Sequence, residues 1–301
     1  MVIPKSINGK AVVAIDEYAF SPFTDIDEIC KYQNSLIENK SEELSNKVFE
    51  FQKKMMDEED FHGDILDFDR EYIAKNSEPL SKITSIYIPS SIEFIGPSAF
   101  SYCDNVKEIS VYGDTEKEIS IDYDCFDHCI SLVCLNGTFI PLDNSMDIQQ
   151  TYQHCFSLKQ LTLYPVNNEE NKLYVKIDWL PHGGFNLETE AYEYNLEKLI
   201  LAEGTKSLAG GVEMSGGWRG KSLSVKEIYI PASVEKIEPG CFINETCDEI
   251  EKLDEQKFEE TGKGINLETD ATYKQDITII TPKGSYAEKF AKEHGIPYKN
   301  E

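Results

Sequence analysis

Apolar residues along this chain return in steps of two and three, not at the spacing of a long helix. The step apolar-x-x-apolar-x-apolar occurs at Ile83/Ile86/Ile88, Leu196/Leu199/Leu201 and Val225/Ile228/Ile230. Alternation of this kind predicts short strands with one face turned inward. Two thirteen-residue segments, Ile88–Phe100 and Ile230–Phe242, are identical at seven positions, and each follows an Ile-Tyr pair. A degenerate copy opens the chain, from Ile3-Pro4 through Val13 and Ile15 to Ala19-Phe20. A second element follows the aromatic residue. Phe100, Phe126 and Tyr152 are 26 residues apart, and each has a cysteine three positions on, at Cys103, Cys129 and Cys155. Val106, Leu132 and Leu158 come three residues beyond the cysteines, and Ile109, Leu135 and Leu161 three beyond those. Phe20, Phe23, Ile26 and Ile29 fit the same step, with Phe23 in the cysteine's place, giving about seven or eight repeats.

Stacking is the physical reading of such a period. One unit of about 23 to 29 residues, built as a short strand, a turn and a return segment, cannot bury its own apolar edge. Neighbours about 4.8 Å apart turn those edges into one column. Pro89 and Pro231 lack the amide that a ladder needs, so strand pairing is expected to end there.

The block Ile-Pro-x-Ser-[Val/Ile]-x-x-Ile-x-x-x-[Ala/Cys]-Phe, followed by Cys-x-x-[Leu/Val]-x-x-Ile, resembles the BspA-type leucine-rich repeats of bacterial and some protist surface proteins. Pro282–Gly295 is similar to a closing segment common in that family. The resemblance implies an adhesive or interaction role, often at a cell surface, and brings no catalytic residues with it. The expected fold is an α/β repeat, a right-handed leucine-rich-repeat solenoid with short parallel β-strands, forming one domain over residues 1–301.

Several segments interrupt the repeat. Within 31–80, Leu44/Val48/Phe51/Met55 and Phe61/Ile65/Phe68/Tyr72 step at helical spacing and predict a helical hairpin insertion. Segments 164–195, 206–222 and 244–275 read as loop insertions. The first holds Trp179, and the second is glycine-rich around Trp218-Arg219. Tryptophan and arginine dominate interface hot spots, so Trp179, Trp218 and Arg219 are the candidate partner-binding residues, against the plainer reading that Trp218 folds back over an exposed repeat edge. Residues 276–301 form the expected C-terminal helical cap. Ser285-x-x-Glu288 is a capping box, Ala287, Phe290 and Ala291 share a face, and Gly295 with Pro297 stops the helix.

Charge narrows the range of partners. The 301 residues carry 55 acidic and 29 basic side chains, a formal net charge of −26, which disfavours nucleic acid and anionic membrane surfaces. No stretch reaches the roughly 18 to 20 apolar residues of a bilayer span, and Met1–Lys5 lacks a leader pattern. Eight cysteines are too few for a disulfide scaffold.

The strongest chemical signal is Cys125-Phe-Asp-His128-Cys129, with Cys134 nearby and His154-Cys155 one period later. Cysteine and histidine ligate zinc, but Cys103 occupies the same repeat position with no histidine, so the cysteines read as small buried hydrophobes. His128 and His154 share a register and are expected on adjacent repeats, as a pH-sensitive pair or an adventitious metal site. No catalytic, cofactor or resident metal residue is assigned. The functional expectation is a monomeric, non-enzymatic binding or adhesion module for a protein or glycan, at a cell surface or secreted. A cytoplasmic scaffold is the alternative, and a zinc-dependent enzyme around the two histidines the outsider.

Overall fold

The computed structural model describes residues 1–38, 46, 49, 78–142, 151–152, 154–167, 173–176, 185–186, 191–192, 195–209, 225–245 and 247–301. Strands are short and mostly parallel, as the alternation requires. Contacts divide the chain into two units, Met1–Lys159 with Pro181–Asn195, and Gln160–Leu180 with Leu196–Glu301.

In the first unit each repeat contributes to two parallel sheets. One pairs Ser85–Pro89 with Glu108–Tyr112 and then Cys134–Asn136, with Ile86 opposite Ile109 and Ile109 opposite Leu135. The other pairs Ala14–Ile15, Phe94–Ile95, Glu118–Ile121 and Thr138–Pro141 in that order. Between the sheets lie Ile86, Ile88, Ile92, Ile95, Ile109, Ile119 and Ile121, all without solvent exposure. The first strand ends at Pro89, as its missing donor dictates. The N-terminal copy joins through Val2, bridged in parallel to Tyr87, and Tyr112 donates its hydroxyl proton to the Ile3 carbonyl at 2.7 Å.

The aromatic period becomes a column of rings. Phe20 stacks on Phe100 at 5.3 Å, Phe100 on Phe126 at 5.7 Å, and Phe126 on Tyr152 at 5.8 Å, all within 7° of parallel. Burying each such ring stabilises the unit by roughly 2–3 kcal/mol. Beside this column runs one of thiols. Cys103, Cys129 and Cys155 each donate to the carbonyl of the preceding repeat's aromatic residue, Phe20, Phe100 and Phe126, at 3.2 Å. The cysteines are therefore buried as expected, but as hydrogen-bonding groups as well as hydrophobes.

The second unit has the same plan. Gln160–Leu163, Lys198–Leu201, Glu227–Tyr229 and Thr278–Thr281 form a parallel sheet, extended by Tyr298–Asn300. Leu173–Lys176, Ser207–Ala209 and Lys236–Ile237 form a second one. Ser285 accepts from the Glu288 amide at 3.0 Å and starts the Tyr286–His294 helix. Gly295, at φ 69°, closes it in the left-handed conformation. The Glu288 carboxylate reaches back to the amide of Gly284, one residue earlier than a capping box places it. Ala287, Phe290 and Ala291 are buried, with the Phe290 ring 6.0 Å from Phe242 and 6.1 Å from Tyr273.

Four expectations change. Ile26 and Ile29 fit the repeat's apolar step, but Ile26–Glu38 is a helix. The apolar step i, i+3 fits either element. Asp25, accepting from the Glu28 amide at 2.9 Å, and Glu28, accepting from the Thr24 amide at 2.8 Å, decide for helix. Segment 244–275, expected as a loop, carries the Cys247–Thr261 helix. It is rich in the helix formers Glu, Lys, Leu and Gln, and its partly buried Ile250, Leu253 and Lys257 recur at helical spacing. Segment 164–195, also expected as a loop, holds strand pairs Val166–Asn167 with Leu173–Lys176, and Phe185–Asn186 with Ala191–Tyr192. Ser207–Ala209, at the start of the glycine-rich segment, is a strand because Leu208 fills a core position. The helical hairpin proposed from Leu44 to Tyr72 lies outside the described residues.

Candidate functional site

Each repeat of the first unit turns its corner through residues with positive φ that are not glycine. Tyr18, Ser98 and Asp124, two positions before the aromatic residue, have φ of 50–52°. Tyr102, His128 and His154, two positions after it, have φ of 56–59°. Side chains rarely adopt this region, and each such residue costs on the order of 1 kcal/mol. The second set forms its own column. The Tyr102 ring lies 4.2 Å from His128 and 10° from parallel, and His128 lies 3.9 Å from His154 with a tilt of 31°. Phe23 meets the edge of this column, 5.1 Å from Tyr102 at 90°. Gln33, from the Ile26–Glu38 helix, donates to the Tyr102 hydroxyl at 2.7 Å.

The two histidines share one carboxylate. His128 Nδ1 is 2.8 Å from Asp127 Oδ2, and His154 Nδ1 is 2.8 Å from Asp127 Oδ1. The three side chains are only 7%, 14% and 18% exposed for His128, His154 and Asp127. Burial alone would raise the pKa of Asp127, but the charge and hydrogen bond of His128, with the hydrogen bond and charge of His154, outweigh it. Its carboxyl is held well below the usual carboxylate range. Asp124 behaves oppositely. Burial and the neighbouring charge of Asp127 push its pKa up to about 6, against a smaller lowering by His154. One ligand atom from each of Asp127, His128 and His154 lies within 4.8 Å of the others.

The thiols nearby face another way. Burial pushes the Cys103 thiol up to about 12 and raises Cys125, Cys129 and Cys155 as well, which leaves them neutral and poorly nucleophilic. Cys134 is exposed and pairs with the Asn136 side chain on the sheet. The structure thus brings His128 and His154 together, as their common register implied, and separates them from the cysteines. Asp127, the residue that joins them, was not singled out from the sequence. Its repeat counterparts are Ser101 and Gln153, so no periodic signal marks it. Trp179, Trp218 and Arg219 lie outside the described residues.

Residues 71–174 match the BspA type leucine rich repeat region in six copies. Over that stretch the chain carries BspA-type leucine-rich repeats. Their sheets of parallel strands are those of a leucine-rich-repeat-like α/β fold. The Asp127–His128–His154 cluster sits at the corners of two successive BspA-type repeats. Among solved structures, a leucine rich cell surface protein from Faecalibacterium prausnitzii A2-165 is 20% identical with a TM-score of 0.32. That match covers 55% of this chain and 37% of the other, so this chain spans little more than a third of that protein's length. The pneumococcal vaccine antigen PcpA is 12% identical with a TM-score of 0.19, over 74% of this chain and 69% of that one. No curated protein matches the chain.

Proposed function

We propose that the protein is a non-enzymatic binding module that recognises a protein partner through the outward faces of its parallel sheets. The observation that carries this reading is the composition of the sheet face in the first unit. Ser85 and Tyr87, then Glu108, Ser110 and Tyr112, then Cys134 and Asn136, stand half-buried or exposed on strands in register. Tyrosine, serine and asparagine are the residues that protein-binding paratopes favour, because tyrosine gives rigid amphipathic contact area and the small polar side chains adapt their hydrogen bonds.

The row is ordered before any partner arrives. Tyr87 donates to the Glu108 carboxylate at 3.3 Å, Ser110 donates to its other oxygen at 2.7 Å, and Asn136 donates to Ser110 at 3.1 Å. A preorganised surface loses less conformational entropy on binding. Trp179, Trp218 and Arg219 are proposed as further anchors on hot-spot chemistry alone. The BspA-type repeats themselves support an interaction role over catalysis.

Surface-immobilised protein is to be presented to purified extracellular-matrix proteins, bacterial surface proteins and a glycan panel. Saturable binding to a protein, weakened at least tenfold by Tyr87→Ala combined with Tyr112→Ala, is the expected result. Binding confined to glycans, binding indifferent to those substitutions, or none on any panel would overturn the reading.

A further inference from the structure

We propose that Asp127, His128 and His154 bind a divalent transition-metal ion of the zinc type, bridging two successive repeats. The three side chains gather one ligand atom each into a single cluster at the corners of two successive repeats. Both imidazoles turn their Nδ1 atoms to the same carboxylate, each to a separate oxygen at 2.8 Å. All three ligand atoms lie within 4.8 Å of one another. Metal–nitrogen and metal–oxygen bonds of about 2.0–2.2 Å at tetrahedral angles put neighbouring ligand atoms roughly 3.3–3.4 Å apart. Each N···O contact must therefore open by about 0.5 Å, and the widest pair must close by no more than about 1.4 Å. Small side-chain rotations supply both movements.

Rigidity favours the site. His128 is held between the parallel Tyr102 ring at 4.2 Å and the His154 ring at 3.9 Å, and Gln33 tethers the Tyr102 hydroxyl. His128 and His154 leave corners of matching backbone conformation, φ 56° and 59°, so the two imidazoles are offered in register. Stacking and the Gln33 tether limit the freedom the donors lose on binding, and rotation of the carboxylate and imidazoles makes the remaining adjustment. The three side chains keep 7–18% exposure, and in this proposal water fills the remaining coordination positions.

Donor chemistry selects the ion. Two imidazoles and one carboxylate suit zinc, cobalt, nickel and copper, whereas calcium and magnesium require more oxygen ligands. Binding exchanges the two Nδ1–Asp127 contacts for bonds to the metal. An imidazole that carries its proton on Nδ1 shifts it to Nε2 through solvent, and the Nδ1 lone pair takes the metal. The cysteines are not ligands in this proposal, because Cys129 and Cys155 donate to the Phe100 and Phe126 carbonyls.

The test is titration of the metal-stripped full chain with Zn2+ and with Co2+ at neutral pH, by calorimetry and visible absorption. Mg2+ and Ca2+ serve as controls. Expected are one equivalent of Zn2+, four- or five-coordinate Co2+ absorption without a sulfur-to-cobalt charge-transfer band, and a thermal midpoint that rises with Zn2+ concentration. His154→Gln and Asp127→Asn, each checked for folding by circular dichroism, should weaken Zn2+ at least tenfold, and Cys134→Ser should leave it unchanged. Absence of saturable Zn2+ binding, equal affinity in the folded variants, or dependence on Cys134 overturns the site. Should a variant fail to fold, the wild-type cobalt spectrum decides: a thiolate band refutes the assignment, and nitrogen–oxygen absorption supports it.

Discussion

At the scale of single residues, stability concentrates in the ring column. Phe126 is fully buried, with Phe100 5.7 Å away on one face and Tyr152 5.8 Å on the other. Phe126→Ala removes both stacking faces and leaves a cavity, and is expected to cost about 3–5 kcal/mol in a urea unfolding titration. A loss below 1 kcal/mol would show that the column is not the core of its unit. Tyr273 gives the opposite sign. Its hydroxyl is buried with no hydrogen-bond partner among the described residues, and burial, with the charge of Glu268, pushes its pKa up to about 12. Since an unpaired buried hydroxyl costs more than it returns, Tyr273→Phe should stabilise the protein by about 1 kcal/mol in the same titration. The rings packed on Tyr273, Phe290 and His294, need only its aromatic body.

At the scale of elements, the helix Tyr286–His294 ties its stability to pH through Glu288. The Lys292 ammonium at 2.6 Å, and then the Gly284 amide, hold the Glu288 carboxyl below its usual range. A carboxylate whose folded pKa is depressed contributes stability that is full above the unfolded value and is lost as pH falls through the folded one. Glu288→Gln should therefore lower the melting temperature at pH 7, and the difference from wild type should vanish in strong acid. A constant difference across pH would place the effect in packing instead. Sequence legibility also sorts by element. Strands with alternating inward residues, such as Ser85–Pro89, and the helix bounded by Ser285 and Gly295, follow from local rules. Tyr298–Asn300 does not, because all three residues are exposed and only pairing with Thr278–Thr281 makes them a strand. Ile26–Glu38 is ambiguous in the sequence because its first apolar pair fits two periods at once. Asp127 escaped notice because its role depends on a histidine 27 residues away.

At the scale of the whole molecule, burial divides the thiols into two classes. Among the seven described cysteines, Cys30 and Cys134 are exposed, whereas Cys103, Cys125, Cys129, Cys155 and Cys241 are buried. An aromatic disulfide reagent should label Cys30 and Cys134 rapidly in the native protein and reach the other five only on unfolding. Rapid native labelling of Cys129 or Cys155 would contradict the thiol column. The left-handed corners carry a longer consequence. A bend made by glycine is chemically silent, but bends made by Tyr102, His128 and His154 each present a functional group at a fixed pitch. Substitution at such a corner changes the group packed against the same corner of the next repeat. The repeat thus couples what one coil places at its corner to what its neighbour must accept there.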